Sequence, residues 1–230
     1  MLDIHTHILP GMDDGSADPE ETLALLRLLK QQGVTMVGAT PHFYAKKDSP
    51  EDFLQRRDEA FSRMPQEEGL PRVIPGAEVA YFEGMGRSEA LSQLRLGDSG
   101  LLLVEMPFST WSHRAVEEIC ALPMSLGVTA VLAHVDRYQH RGQLKTYGKM
   151  LLEQGVYFQC NATVFQKFAS RRWALRELKY GKIHFLGSDC HNMTTRQPCM
   201  DEAHTWMKKA LGENFLQQFQ ENALELLNME

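Results

Sequence analysis

Met1-Leu2-Asp3-Ile4-His5-Thr6-His7 reads as a single β-strand, and the fold follows from how the chain continues after it. Side chains alternate across a strand, so His5 and His7 project from one face, with Asp3 on the same side. Two imidazoles side by side at a strand end can grip one divalent cation, and Asp3 is placed to orient a histidine from behind. Two ordinary histidines at a frayed terminus would look the same, so D-x-H-x-H alone leaves both readings open. Next comes Leu9-Pro10-Gly11-Met12-Asp13-Asp14-Gly15, a turn-rich loop. It lacks the glycine-rich fingerprint that opens a dinucleotide-binding, doubly wound sheet.

The chain then repeats one pattern. Asp18 and Pro19 offer an N-cap and N1 for a helix carrying Leu23, Leu26 and Leu29, stopped at Gly33. Val34 to Thr40 reads as a buried strand ending in Pro41-His42. Ser49-Pro50-Glu51-Asp52 resembles a capping box and opens a helix to about Met64. Arg72 to Tyr81 contains a strand carrying Glu78, and a short helix falls near Ser88–Leu94. Leu101-Leu102-Leu103-Val104-Glu105 is an apolar strand ending in an acid. Further strands are expected at Val128–Ala133 before His134, at Val156–Asn161, and at Ile183–Asp189. Helices are expected around Ala115–Leu126, Gln143–Glu153, Trp173–Tyr180, Met200–Leu211 and Glu213–Asn228. Short apolar strands alternating with amphipathic helices imply parallel βα units. About seven units without a linker over residues 1–230 predict one domain, a closed α/β barrel rather than an open sheet.

The whole chain narrows the function classes. It has 230 residues and a net charge of −6, with no run of Lys or Arg, which argues against nonspecific nucleic-acid binding. No apolar stretch reaches membrane-span length, so an integral membrane protein is not expected. A strand starting at residue 1 leaves no room for a signal peptide. Cys120, Cys160, Cys190 and Cys199 form no C-x-x-C pair and fit a reducing, cytoplasmic location.

The His, Asp and Glu residues fall at or just past the strand ends: His5, His7, His42, Glu78, Glu105, His134, Asp189 and His191. In a parallel barrel these positions converge on one mouth, where such folds place their chemistry. Asp14, in the first loop, can bend over that mouth. A lone acid such as Glu105 would ordinarily be a paired core carboxylate. Nine ligand-type residues on one rim are harder to explain that way, because unpaired buried charges are costly. Five histidines and four carboxylates without cysteine suit Mn²⁺, Fe²⁺ or Zn²⁺, and they exceed the needs of one ion.

Asp3-Ile4-His5-Thr6-His7-Ile8-Leu9-Pro10-Gly11-Met12-Asp13-Asp14-Gly15 closely resembles the opening of the PHP-type bacterial protein-tyrosine phosphatases of capsular and exopolysaccharide operons. The likeness continues in order through Ala39-Thr40-Pro41-His42, Gly76-Ala77-Glu78, Leu103-Val104-Glu105, His134-Val135-Asp136-Arg137-Tyr138 and Gly187-Ser188-Asp189-Cys190-His191-Asn192. It implies a distorted (β/α)7 TIM-like barrel, the PHP fold, with three divalent metal ions. Manganese is the expected metal, with Fe²⁺, Zn²⁺ or Mg²⁺ as alternatives. By that resemblance His5, His7, Glu78 and Asp189 would hold the first ion. Glu78, as a bridge, with Glu105 and His134 would hold the second, and Asp14, His42 and His191 the third. The chain departs from the family at Thr6, Phe43, Val135-Asp136 and Cys190, and Phe43 puts substrate contacts beside His42 in doubt.

The chemistry such a centre implies is in-line attack on phosphorus by a metal-bound hydroxide, displacing the tyrosine phenolate without a phosphoenzyme. Arg137 and Arg196 lie three and five residues after His134 and His191. Arginines stand at both matching family positions, and here they would bind phosphate oxygens. The expected partner is a phosphotyrosine-bearing protein, the tail of a bacterial tyrosine kinase controlling polysaccharide export. A small phosphomonoester such as histidinol phosphate is the alternative substrate, and a catalytically silent binding scaffold a third reading. No residue stands out as general acid. Cys190 to Arg196 also has the C-x₅-R spacing of cysteine-dependent phosphatases, but it lacks their loop glycine. Trp111 is a candidate to flank an aromatic substrate ring, with packing as its commoner role. Asn161 either lines the mouth or is a core amide. His113, His140, His184 and His204 match no ligand position.

Overall fold

The computed structural model describes residues 1–139 and 142–228; His140 lies outside the described residues. The chain alternates strand and helix as its periodicity predicts, and every strand pairing is parallel. The strands are β1 (Leu2–Thr6), β2 (Met36–Ala39), β3 (His42–Phe43), β4 (Arg72–Pro75), β5 (Glu78–Ala80), β6 (Leu101–Glu105), β7 (Thr129–Leu132), β8 (Tyr157–Asn161) and β9 (Phe185–Gly187). The helices are α1 (Pro19–Gln31), α2 (Pro50–Ser62), α3 (His113–Leu126), α4 (Gln143–Glu153), α5 (Phe168–Lys179), α6 (Met200–Leu211) and α7 (Glu213–Leu226).

Local chemistry explains the helix starts. The Asp18 carboxylate accepts the Glu21 N–H at 2.9 Å, and Ser49 accepts the Asp52 N–H at 3.1 Å. Each cap is followed by a proline at N1. The segment expected as a helix at 88–94 is instead a 3₁₀ turn over Glu89–Leu94.

The strands form a curled parallel sheet in two hydrogen-bonded sections, β1-β2-β4 and β3-β5-β6-β7-β8-β9. The division falls where the sequence reading drew continuous strands. The stretch 34–42 is broken between β2 and β3 at Thr40-Pro41, and 72–81 is broken between β4 and β5 at Gly76-Ala77. Proline donates no ladder bond, and a Cβ on Gly76 would lie 2.8 Å from Leu96 Cδ2. Hydrogen bonds still cross the break, from Gly76 N–H to Ala39 O at 2.9 Å and from Glu78 N–H to Pro41 O at 3.0 Å. The last strand returns to the first. Thr6 bridges Cys190, and Asp189 N–H donates to His5 O at 2.8 Å.

Most of the apolar core lies in one cluster that includes Leu25, Leu29, Phe53, Val104, Ile119, Leu132, Phe165 and Met207. A smaller cluster joins Leu2, Ile4, Ile74, Leu103, Val131 and Phe185 to Ala223 and Leu227 at the C-terminus. No helix among the described residues is long and apolar enough to cross a membrane. The consequence for the site is directional. Parallel strands all deliver their C-terminal ends to one edge of the sheet; Glu105, His134, Asp189 and His191 sit at or just past such ends, while His42 and Glu78 open β3 and β5 at the breaks just past β2 and β4.

Candidate metal centre

His5 and His7 leave the end of β1 fully buried, with their Nε2 atoms 3.2 Å apart. The Nδ1 of His7 lies 2.6 Å from Asp13 Oδ2, and the Nδ1 of His5 lies 3.1 Å from Gln159 Oε1. If each Nδ1 donates its proton to that oxygen, both Nε2 atoms present lone pairs to one another. Two such lone pairs repel unless a cation or a proton lies between them. Burial opposes charge on His7, but hydrogen bonds to Asp13 and Glu78 outweigh it and raise its pKa to about 10. The pull toward positive charge at this spot is what a divalent cation would satisfy.

Asp3 does not orient a histidine ring, contrary to the sequence expectation. Its Oδ1 accepts the backbone N–H groups of Ser188 at 2.9 Å and His5 at 3.3 Å, tying β1 to the end of β9. The carboxylate behind His7 is Asp13, which also accepts N–H bonds from Gly15 at 3.0 Å and His42 at 2.9 Å. Burial opposes its ionisation, but His7 and these donors hold its pKa down at about 2. The loop reaches this position because Gly15 packs on His7, where a Cβ would fall 2.0 Å from the His7 carbonyl oxygen.

The remaining candidates meet the pair. Glu78, buried at the start of β5, approaches His5 Nε2 at 3.3 Å, His7 Nε2 at 3.5 Å, His42 Nδ1 at 2.9 Å and His134 Nε2 at 2.8 Å. Burial works against its charge, yet the surrounding His5, His134 and His42 keep it ionised well below the usual carboxylate range. Glu105 lies 3.4 Å from His134 Nε2. His134 carries a pKa raised to about 9, burial being outweighed by hydrogen bonds to Glu105 and Glu78. Asp14 Oδ1 stands 3.6 Å from His42 Nε2 and 3.5 Å from His191 Nε2. His191 turns its Nδ1 to the Asp189 carbonyl at 3.0 Å, and burial with the nearby His7 and Arg196 charges lowers its pKa to about 4. It is therefore neutral, with Nε2 facing the cluster.

Eight of the nine expected ligands fall into close groups, and His134 meets them through Glu78 and Glu105. The atoms of His7, Asp14, His42 and His191 lie within 4.8 Å of one another, as do those of His5, His7 and Asp189, and those of His42, Glu78 and Glu105. His7 and His42 each belong to two of these groups, so the sets overlap more than three separate ligand shells would. Among the described residues, His42 Nδ1 and Glu78 Oε2 approach each other at 2.9 Å without a well-aligned hydrogen bond, and the buried His134 Nδ1 and His191 Nε2 make none. Orphaned buried polar atoms cost about 1–3 kcal/mol each unless something else satisfies them. His134 and Asp189 adopt positive φ angles, 34° and 55°, rare for residues other than glycine. Such strain concentrates at functional sites. The donor set fits oxygen- and nitrogen-loving divalent ions.

Both arginines converge on Asp189. Arg196 Nη2 lies 2.7 Å from Asp189 Oδ1, and Arg137 pairs with Oδ2. The Asn161 side-chain amide donates to the same Oδ2 at 2.9 Å, so Asn161 belongs to the site. Burial opposes ionisation of Asp189, and His5, Arg137, His7 and Arg196 reverse that, setting its pKa at about 2. The two arginine side chains are 36% and 37% exposed, and each guanidinium keeps N–H donors for a ligand. Cys190 is buried and its thiol is pushed far up by burial, which opposes a thiolate role for C-x₅-R.

Two features escaped the sequence reading. Gln159 accepts the His134 N–H at 2.6 Å while its Oε1 also faces His5, so one amide positions two histidines. Asp13 had a visible signal, its place beside Asp14 in the loop. Gln159, mid-strand among apolar neighbours, had none.

A parallel α/β fold with His and carboxylate side chains clustered at one edge of its sheet defines a class, proteins with a candidate metal-binding centre. The family described as capsular polysaccharide synthesis, CpsB/CapC, matches residues 1–228, and the chain belongs to it. The tyrosine-protein phosphatase YwqE of Bacillus subtilis is 31% identical over 234 residues, spanning 99% of this chain and 91% of its own. The tyrosine-protein phosphatase CpsB of Streptococcus agalactiae is 31% identical over 246 residues, covering 99% of this chain and 98% of its own. A solved structure from a study of YwqE and Streptococcus pneumoniae CpsB, described as metal-dependent tyrosine phosphatases, superposes with a TM-score of 0.85 at 29% identity. It covers all of this chain and 96% of that one.

Proposed function

We propose that this protein is a metal-dependent protein-tyrosine phosphatase acting in capsular or exopolysaccharide synthesis. The observation that carries the reading is the pair of Nε2 atoms 3.2 Å apart on His5 and His7, ringed by Glu78 and Asp189. That grouping has chemical sense around a cation. The relatives' activity and the family's link to capsular polysaccharide give the substrate class and the setting.

In this reading the seven strand lines, β2 with β3 and β4 with β5 each counting once, are a distorted (β/α)7 barrel of the PHP type. His5, His7, Asp14, His42, Glu78, Glu105, His134, Asp189 and His191 would hold three divalent ions, manganese being the expected metal. Divalent ions there supply Lewis-acid neutralisation of phosphoryl charge and an acidified water as nucleophile. The chain's own groups do the rest. Asp13 and Gln159 fix the tautomers of His7 and His5 through Nδ1. Arg137 and Arg196, anchored on Asp189, turn their free N–H groups to the phosphate oxygens and orient the ester for in-line displacement. The substrate is phosphotyrosine in a protein, for which the tail of a bacterial tyrosine kinase is the proposed source, and the setting is cytoplasmic.

The test is hydrolysis of a phosphotyrosine peptide by chelator-stripped protein, before and after Mn²⁺ is restored, with Cys190→Ala alongside. Activity should vanish on chelation, return with Mn²⁺ and survive Cys190→Ala in protein shown to be folded. Activity indifferent to chelation but abolished in folded Cys190→Ala would overturn the metal mechanism.

A further inference from the structure

Three arginines line one cavity of about 430 Å³: Arg57 from α2, Arg72 from the start of β4 and Arg95 from the loop before β6. The cavity exists because the sheet is split. β4 is the outer strand of the section β1-β2-β4, and beyond it Gly97 N–H reaches Pro75 O at 2.7 Å where a further strand would otherwise pair. None of the lining residues belongs to the metal centre. Arg72 opens β4, at the opposite end of that strand from the break that leads to Glu78.

These charges are poorly balanced within the protein. The Arg57 side chain is 9% exposed, and its acid partner is the adjacent Asp58, itself 68% exposed. Asp58 Oδ1 accepts from both Nε and Nη2 of Arg57 at 3.2 Å, and among the described residues Nη1 donates to no acceptor. Arg72 and Arg95 form no ion pair among the described residues, and Arg95 Nη1 makes a long 3.4 Å contact with Ser92 O. Asp98 also lines the cavity, yet no ion pair among the described residues joins it to any of the three arginines. A buried guanidinium held by one exposed carboxylate, sharing a cavity with two further cations, is costly unless an anion offsets it. Like charges lining a concave surface also concentrate anions there. Guanidinium forks engage phosphate oxygens two at a time, and Gln93 adds an amide donor to the same wall. The volume falls in the range of small-molecule sites and leaves room for more than one phosphate.

We infer that the cavity between Arg57, Arg72 and Arg95 is a second anion site, separate from the metal centre, for a small molecule carrying two linked phosphate groups. Arg57, fixed by burial, supplies the pre-set fork, and Arg72 and Arg95 close on the outer oxygens. The cavity contains no candidate metal ligand, so it binds its occupant without hydrolysing it.

Calorimetric titration of the Mn²⁺-loaded protein with methylenediphosphonate tests this, with Mn²⁺ in excess of ligand throughout. Wild type should show a binding event that Arg72→Gln/Arg95→Gln weakens by about tenfold or more and that Arg137→Gln/Arg196→Gln leaves in place. Arg72→Gln/Arg95→Gln should leave Mn²⁺ affinity and phosphotyrosine-peptide hydrolysis unchanged, which establishes that fold and centre are intact. Arg57→Lys keeps the buried charge but loses the fork, and should weaken the same event. Methylphosphonate, with one phosphonate group, should bind there about tenfold more weakly. ADP bound with the same loss in Arg72→Gln/Arg95→Gln identifies a nucleotide as the source of the diphosphate, and methylenediphosphonate bound without ADP identifies a free diphosphate; either supports the site. Methylenediphosphonate binding indifferent to Arg72→Gln/Arg95→Gln, or methylphosphonate bound equally tightly, would overturn it. The binding readout needs no hydrolysis, so the site stands or falls separately from the phosphatase reading.

Discussion

Single side chains decide how the cluster is held. Asp13 contacts His7 Nδ1 at 2.6 Å and the His42 N–H at 2.9 Å, so it shapes two candidate ligands without facing the cluster itself. Asp13→Asn can be built in the same space but loses the charge that holds His7. It should weaken Mn²⁺ binding by about 10–100-fold, the usual effect of removing a carboxylate behind a ligating histidine, as followed by metal titration. A second residue-scale prediction lies far from the cluster. His184 Nδ1 accepts the Phe158 N–H at 3.1 Å, and burial lowers its pKa from 6.5 to about 4. The unfolded chain takes up this proton near pH 6.5 while the folded one resists until about pH 4. The stability held above pH 6.5 is therefore lost as pH falls through that window, by about 2 kcal/mol once partial exposure is allowed for. His184→Asn should flatten that part of the profile relative to wild type in urea unfolding from pH 4 to 7. The ligand-type residues themselves were legible in the sequence because their positions at strand ends are local facts. Asp13, Gln159 and Asn161 were less so, since their roles depend on which partner lies across the fold.

Helix boundaries follow periodicity unevenly: α4 and α6 begin and end at the residues expected although neither has a side-chain N-cap, whereas α5 begins at Phe168 rather than at Trp173. Periodicity gives no warning of a break inside an apolar run, so the β2/β3 and β4/β5 interruptions emerged only from the sheet. The glycines show how the elements differ in tolerance. In β9 a Cβ on Gly187 would lie 2.6 Å from His5 Cβ and 2.7 Å from Gln159 Nε2. Gly187→Ala must push β9 away from β1 and β8, and should cost about 2–3 kcal/mol in denaturant unfolding. In α4, a Cβ on Gly148 meets nothing closer than 3.8 Å. Gly148→Ala should therefore stabilise by about 0.4–1 kcal/mol, by restricting the unfolded chain and favouring the helix. The same substitution thus has opposite signs in two elements, and close approach to His5 is the reason.

At the scale of the whole molecule, folding gathers negative carboxylates and histidines into one buried cluster, and metal uptake must displace protons from it. With pKa values raised to about 10 and about 9, His7 and His134 are protonated in the metal-free protein at neutral pH. Loading the centre should release about two protons from them, and Mn²⁺ affinity should strengthen as pH rises toward 9. Calorimetry in buffers of different ionisation enthalpy reads this directly, and heats independent of buffer would refute it. The amino-acid sequence by itself determined the alternation of strands and helices, the parallel arrangement and the set of nine ligand-type residues, because caps, periodicity and strand ends are encoded within a few neighbouring positions. Tertiary structure alone decided that Asp13 rather than Asp3 backs a histidine, that Arg137 and Arg196 share Asp189, and that Trp111, a candidate to flank a substrate ring, is buried. Those outcomes depend on contacts between residues far apart in the chain, and a β-strand's pattern specifies which face a side chain takes but not what it will meet there.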